Sequence, residues 1–384
     1  MSGIITVAPA ADGRPRGGGP IQLAIDLAAQ DGSTVQLTAG TWELADAICL
    51  RSGVTLRGEG SATVLTRRGP KASALAGLLA YGRNNVRLRD PDAFAVGDGV
   101  TISDSLHHGY HSTRATIIAR DGDAWILSTG ANADHDPLID ARAVNAFPLI
   151  AAEDVDGAVI EDLRLIGNAE DPEMDSCRGA AVYGLRARGC TFRRLVCDGF
   201  AGDGFSLQFC VDGLLEGCVA RGCAGNGYHP GSGSRRLRFR DCHAIANRGM
   251  GIFFCIGVQD CLVTGGELAG NHRHGVSLGA DDAANRLEGV RITGNGGAAV
   301  HLRRCDRIHA PSGTTLAGCT LGPDEGAGVD AEVVVQGEVE GVRLLDCRID
   351  CGRGLAGISI AAEAGDVDVA GTTFSTGGLQ TMRR

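Results

Sequence analysis

Short runs of alternating apolar and polar residues, most of them opened by glycine, recur through the second half of the chain. They read GFSLQF from Gly204, GYHPGS from Gly227, GIFFCI from Gly251 and GVSLGA from Gly275, with AAVYGL from Ala180 before them and a degenerate AAVHLR from Ala298 after. Alternation with period two over four to six residues predicts strands whose successive side chains face opposite ways. Asparagines punctuate these runs: Asn226, Asn247, Asn271 and Asn295 follow one another at steps of 21, 24 and 24 residues, and Asp203 and Asn168 fill the same phrase further back. A period in this range marks a solenoid, in which one unit cannot bury its apolar face alone. Asn suits the corners because it tolerates left-handed backbone and can bond its copies above and below.

One repeat has room for about three short strands and their corners, with little helical periodicity. The expected fold class is therefore all-β: a right-handed parallel β-helix. Residues 1–19 form an N-terminal arm, 20–89 a cap helix and the first coils, 90–148 a β-rich insertion where the period lapses, and 149–384 the main coils and C-terminal end. The stretch Ile21 to Gln30 (IQLAIDLAAQ) predicts a short amphipathic helix, suited to covering an otherwise open end of the coil. Within the insertion, His107, His108, His111 and His135 are candidates to overhang a cleft, with a solvated loop as the equal alternative. From about Ile21 to Arg67, the helix, the AGTW turn and the VTLRGEG strand resemble the opening of pectate-lyase-like β-helix proteins. That resemblance implies the fold and leaves the reaction open.

Composition narrows the partners. Gly accounts for 59 of 384 residues, as tight corners require, and Lys71 is the sole lysine beside 35 arginines. With a net charge of −10 and no basic stripe, neither nucleic acid nor an anionic membrane is an expected partner. No apolar run is long enough to span a bilayer, and the N-terminus lacks the pattern of a secretory signal, which points to the cytoplasm. Fourteen cysteines, several at recurring positions (Cys218, Cys242, Cys319, Cys347), then read as small buried thiols rather than bridges. No CxxC pair or EF-hand spacing occurs, so neither a metal nor a cofactor is expected.

If Phe205, Tyr228, Ile252 and Val276 point inward, the residues after them stack outward as one column: Tyr183, Ser206, His229, Phe253, Ser277 and His301. A second column two residues on holds Leu185, Gln208, Gly231, Cys255, Gly279 and Arg303, and Asp203, Asn226, Met250 and His274 stand just before the glycines. At about 4.8 Å per coil, Tyr183 and His229 lie roughly 10 Å apart, enough for one sugar ring between them. His301, about 14 Å beyond His229, is too far to pair with it and with Arg303 suits a neighbouring subsite. Candidate catalytic residues are His229, Tyr183 and Asp203. Candidate substrate contacts are Ser206, Gln208, Asn226, His274, His301, Arg303, Arg178 and Asp282. Each of these polar residues also has a plain solvated reading.

The segment NGYHPGSGS (Asn226 to Ser234) and the following NRGMGIFF are similar to repeats of alginate-type C5-epimerases, whose YGFDPHD phrase lines the cleft. Here the family's Asp position holds His229 and its His position holds Gly231. The resemblance implies a cleft for proton abstraction beside a carboxylate or carbonyl, with His229 as base and Tyr183 as the opposite acid. The expected function is thus a carbohydrate-active epimerase, isomerase or eliminating lyase, acting on an oligosaccharide or small-molecule substrate. Three alternatives stay open: a glycoside hydrolase pairing Asp203 with a carboxylate from Glu170 to Asp175, a tailoring enzyme on an intracellular intermediate, and a non-catalytic tailspike-like solenoid. Both a single molecule and a homo-oligomer are compatible with the sequence.

Overall fold

In the computed structural model of the chain, which describes residues 3–9, 18–67, 69–167, 177–324, 330–352, 355–375 and 379–383, each turn lays down three short strands. Like strands of successive turns pair in parallel, forming one sheet of 12 strands and two of 11. The first runs from Ile4–Val7 to Val367–Ala370, the second from Gly40–Leu44 to Thr373–Phe374, and the third, the face sheet, from Ile48–Cys49 to Leu379–Arg383. The fold is a right-handed parallel β-helix, as the alternation predicts. Asn168 and the acidic stretch Glu170 to Asp175 lie outside the described residues.

The corners explain the glycine excess. Between the first and second strands each turn places one residue in left-handed geometry: Asp162 at φ 59°, Arg194 at 51°, Gly217 at 60°, Asp241 at 48° and Gly265 at 62°. Glycine meets this demand without the strain a Cβ adds. Arginine serves the outer faces, where it pairs with acids one rung away. Arg194 bonds Asp162 at 2.7 Å, Arg236 bonds Asp212 at 2.6 Å, and Arg164 and Arg221 share Asp198. Hydrogen bonds from Arg221 and Arg164 hold the Asp198 carboxyl down at about 2, against the opposing effect of partial burial.

Inside, Phe205, Tyr228, Ile252 and Val276 are fully buried in one continuous core, as expected of the residue after each glycine. Phe205 and Tyr228 stack at 5.1 Å, and the Tyr228 hydroxyl is satisfied by donating to the Cys218 carbonyl at 2.7 Å. All fourteen cysteines are free thiols, nine of them buried. Burial pushes Cys210 and Cys223 up to about 12, so they act as small apolar fillers.

Three of the four asparagines form a buried ladder. Asn247 Nδ2 donates to Asn271 Oδ1 and Asn271 Nδ2 to Asn295 Oδ1, both at 2.9 Å, and the row ends on Asp324. Asn226 is not a member. Cys223 stands at its place, donating its backbone N–H to Asn247 Oδ1 at 3.0 Å, while Asn226 lies on the face sheet's edge. The first step of 21 residues, against 24 afterwards, is the trace of that shift.

The helix Gly19–Ala28 buries Ile21, Ala24, Ile25 and Ala28 in the same core, capping the coil. The insertion differs from expectation in its start. Its six-stranded antiparallel sheet already includes Ala72–Ala74 and Asn85–Arg87, so it runs from about residue 72 to Val144 rather than from 90. Alternating Val86 and Leu88 look like another coil in sequence, but they turn into a separate small core with Leu75, Ile102 and Trp125. Arg114 joins it to Glu153 of the face sheet.

Candidate active site

The strand register builds the site. Tyr183 pairs with Ser206 and Ser206 with His229, while Phe253 pairs with Ser277 and Ser277 with His301. The outward column is continuous, with Phe253 following His229 one rung on. Gln208 pairs with Gly231 in the second column.

Asp203 and His229 form a close, largely buried polar contact on this wall. His229 Nδ1 lies 2.7 Å from Asp203 Oδ2, and the two side chains are only 12% and 6% exposed. Asp203 is itself held in place: its Oδ1 accepts from the Asn226 backbone N–H at 2.7 Å and from Asn226 Nδ2 at 3.0 Å. Burial disfavours the His229 charge, but the Asp203 carboxylate, with the nearby Cys255 thiol, outweighs it and lifts the imidazole to about 9. Its Nε2 is buried, with the Cys255 thiol close by and no hydrogen-bond partner of ordinary geometry among the described residues.

Tyr183 presents a buried hydroxyl that also has no hydrogen-bond partner among the described residues. Burial raises its ionisation well above that of an ordinary phenol, so it remains a proton donor at neutral pH. Ser206, between the two, accepts from Gln208 Nε2 at 3.0 Å.

Glycines leave space for the long side chains here. A Cβ on Gly231 would meet Gln208 Oε1 at 2.4 Å, and one on Gly279 would meet the Arg303 guanidinium. Arg303 therefore lies flat along the wall. It donates to Ser277 Oγ at 2.9 Å and to the carbonyls of Phe254 and Cys255 at 2.9 and 2.8 Å, and it covers the Phe253 ring at 4.7 Å. Phe253 in turn touches the His229 ring at 5.1 Å. Arg303 thus reaches back toward His229 instead of staying beside His301.

His274 and His301 pair with each other, ring centroids 4.3 Å apart. Burial and the His301 neighbour push His274 down to about 4, and it accepts from the Ala298 N–H at 2.9 Å, so it is neutral. Asp282 does not reach the wall's surface. It is fully buried, its oxygens accept from Val258 and Gly279 N–H groups at 2.9 and 2.7 Å, and it stands 4.0 Å behind Arg303. Adjacent acids on a turn gave no sign that Asp282 turns inward while Asp281 turns out to His309 at 3.0 Å.

Arg178 sits at the Tyr183 end and brings in a residue that sequence reasoning passed over. Its guanidinium lies 4.9 Å over the Tyr110 ring, its Nε donates to the Tyr110 carbonyl at 2.8 Å, and Tyr110 approaches Phe209 at 6.4 Å. The insertion contributes Tyr110 to the wall's edge, and not His135, which is buried in the insertion itself. The GYH string stood among more conspicuous histidines and drew no notice. Past Arg303, at the turns that follow the face-sheet strands, lies an open cleft lined by Ile256, Asp281, Arg304, Arg307, His309 and Glu338.

No protein-family model matches the sequence, and no curated protein does. Solved structures share its fold. The A-module of the mannuronan C-5 epimerase AlgE4 from Azotobacter vinelandii superposes with a TM-score of 0.56 at 16% identity, covering 98% of both chains. The catalytic domain of a GH87 α-1,3-glucanase, in complex with nigerose, gives 0.51 at 11% identity over 98% of this chain and 68% of that one. The Dettilon tailspike protein gives 0.50 at 12% identity over the same shares. At such identities these likenesses establish a parallel β-helix and no more.

Proposed function

We propose that the protein is a carbohydrate-active enzyme that works by proton transfer at His229 Nε2, as an epimerase, isomerase or eliminating lyase. The observation that carries this is the Asp203–His229 pair, on the same wall as Tyr183 two rungs away, with His229 Nε2 and the Tyr183 hydroxyl both unpartnered among the described residues. Asp203 fixes the ring and leaves the second nitrogen to the substrate, the division of labour that general acid–base catalysis needs. In its neutral form His229 takes a proton from an activated C–H, and Tyr183 supplies one on the other side. The imidazolium form, together with Arg303 and Arg178 along the same wall, favours an anionic sugar. The cleft beyond Arg303 would take further sugar units.

The hydrolase reading finds less support, because Asp203 is already engaged by His229 and Asn226. Incubating the protein with uronate oligomers in heavy water separates the classes. Unsaturated product means lyase, deuterium uptake without cleavage means epimerase or isomerase, and reducing ends alone mean hydrolase. No change over a panel of uronates and neutral glycans would leave a glycan-binding solenoid and end this proposal.

A further inference from the structure

The insertion holds a second cluster of ligating side chains, distinct from the face sheet. Asp104 and His107 lie on the loop between the strands Gly99–Ser103 and Thr113–Asp121, and His135 comes from beyond the strand Ala124–Leu127. The Asp104 and His135 side chains are wholly buried, whereas His107 is 33% exposed. Asp104 Oδ2 is 2.8 Å from His135 Nδ1, and both Asp104 oxygens are 3.1 Å from His107 Nδ1. All three donor atoms lie within 4.8 Å of one another, and the imidazoles stand at 89°.

These separations suit a cation. An ion bonded tetrahedrally at about 2.1 Å needs ligand atoms roughly 3.4 Å apart, so two of the three edges require only a slight opening. Binding needs both Nδ1 atoms free of a proton. His135 can then keep its proton on Nε2, where Thr113 Oγ1 lies 2.8 Å away, and that oxygen is itself fixed by accepting from the Asn132 N–H at 2.9 Å. An outer partner on the second nitrogen is the usual support of a ligating histidine. Asp104 is positioned by the Leu106 and His107 N–H groups at 2.9 and 2.6 Å. Two imidazoles and one carboxylate match zinc-class ions, whereas calcium takes six to eight oxygens.

We infer that Asp104, His107 and His135 bind a divalent transition-metal ion of the zinc class, its fourth position open beside the exposed edge of His107. The ion ties the loop bearing Tyr110, and so the rim of the face sheet, to the insertion's core. Cysteine spacing and carboxylate loops, on which the expectation of no metal rested, do not register two histidines 28 positions apart.

The test uses the full chain stripped by chelator, with zinc alone in equilibrium dialysis and cobalt(II) as an optical probe. One equivalent should bind, cobalt should show visible bands of a nitrogen and oxygen site, and His107→Ala should weaken binding at least about tenfold. His107→Gln, which keeps hydrogen-bonding capacity, should show the same loss with an unchanged far-UV spectrum, separating ligation from folding. Three results would overturn the inference: no zinc bound at tens of micromolar, wild-type affinity retained in both variants, or a sulfur-to-cobalt charge-transfer band placing the ion on cysteines.

Discussion

Asp203 and His229 meet across adjacent rungs of the coil at 2.7 Å, although 26 residues separate them. A turn of 23 residues brings them together and Asn226 locks the acid's angle. The contact governs how the wall responds to pH.

A rate limited by proton abstraction at His229 should climb as pH rises and level off above about 9, where the imidazole has lost its proton. Asp203→Asn removes the charge that lifts it, so the midpoint should fall by one to two units or more, by roughly 1.4 kcal/mol per unit. A pH–rate profile, or an NMR titration of His229, measures the shift. His229→Ala should lower turnover by at least about a hundredfold. An unchanged turnover would remove His229 from the mechanism.

The same pair contributes to stability with a definite sign. The folded imidazole binds its proton more tightly than an unfolded histidine at about 6.5, so its contribution is full below that pH and is lost as pH rises through about 9. Urea midpoints of the wild type and Asp203→Asn should converge at pH 10.

Gly279→Ala should act on substrate binding more than on folding. The new methyl group would occupy the space of the Arg303 guanidinium and drive it off Ser277 and the Phe254 and Cys255 carbonyls. KM for an anionic substrate should rise about tenfold, the equivalent of about 1.4 kcal/mol, with a smaller change in kcat. Tyr110→Ala, which removes the ring under Arg178, should shift KM in the same direction more weakly.

Asn271→Ala should cost about 2–3 kcal/mol in urea unfolding, because it strands the buried Asn247 amide and the Ala244 carbonyl. Asn226→Ala, nearer the surface, should cost less and instead disturb Asp203. The ladder's last member offers the reverse experiment. Burial and the neighbouring Glu332 hold the Asp324 carboxyl well above the ordinary range, so its folded form prefers the proton and the site loses stability as pH rises. Asp324→Asn should therefore raise the unfolding midpoint much more at pH 9 than at pH 5, and least near pH 4, where the unfolded carboxyl also takes up its proton.

Much of this architecture was legible because a solenoid repeats its instructions. The spacing of glycine, alternation and asparagine sufficed to put Tyr183, Ser206 and His229 in one column, as the strand pairing shows. What the repeat does not encode is the path of a long side chain. Nothing in the order of residues indicates that Arg303 bends over Gly279 or that Asp282 retreats behind it, whereas Asn226's departure from the asparagine row shows only as a step of 21 residues in place of 24. Tyr110 escaped because the insertion breaks the period, and without the period its distance from Arg178 has no sequence signature.

The asparagine row also has a direction. Every carboxamide hands its N–H to the next one toward the C-terminus, so the group dipoles add along the coil and their positive end abuts Asp324. Turning one amide around would set like poles together and interrupt the chain of polarisation on both sides. The row therefore behaves as an internal compass needle, marking inside an otherwise repetitive stack which end came first.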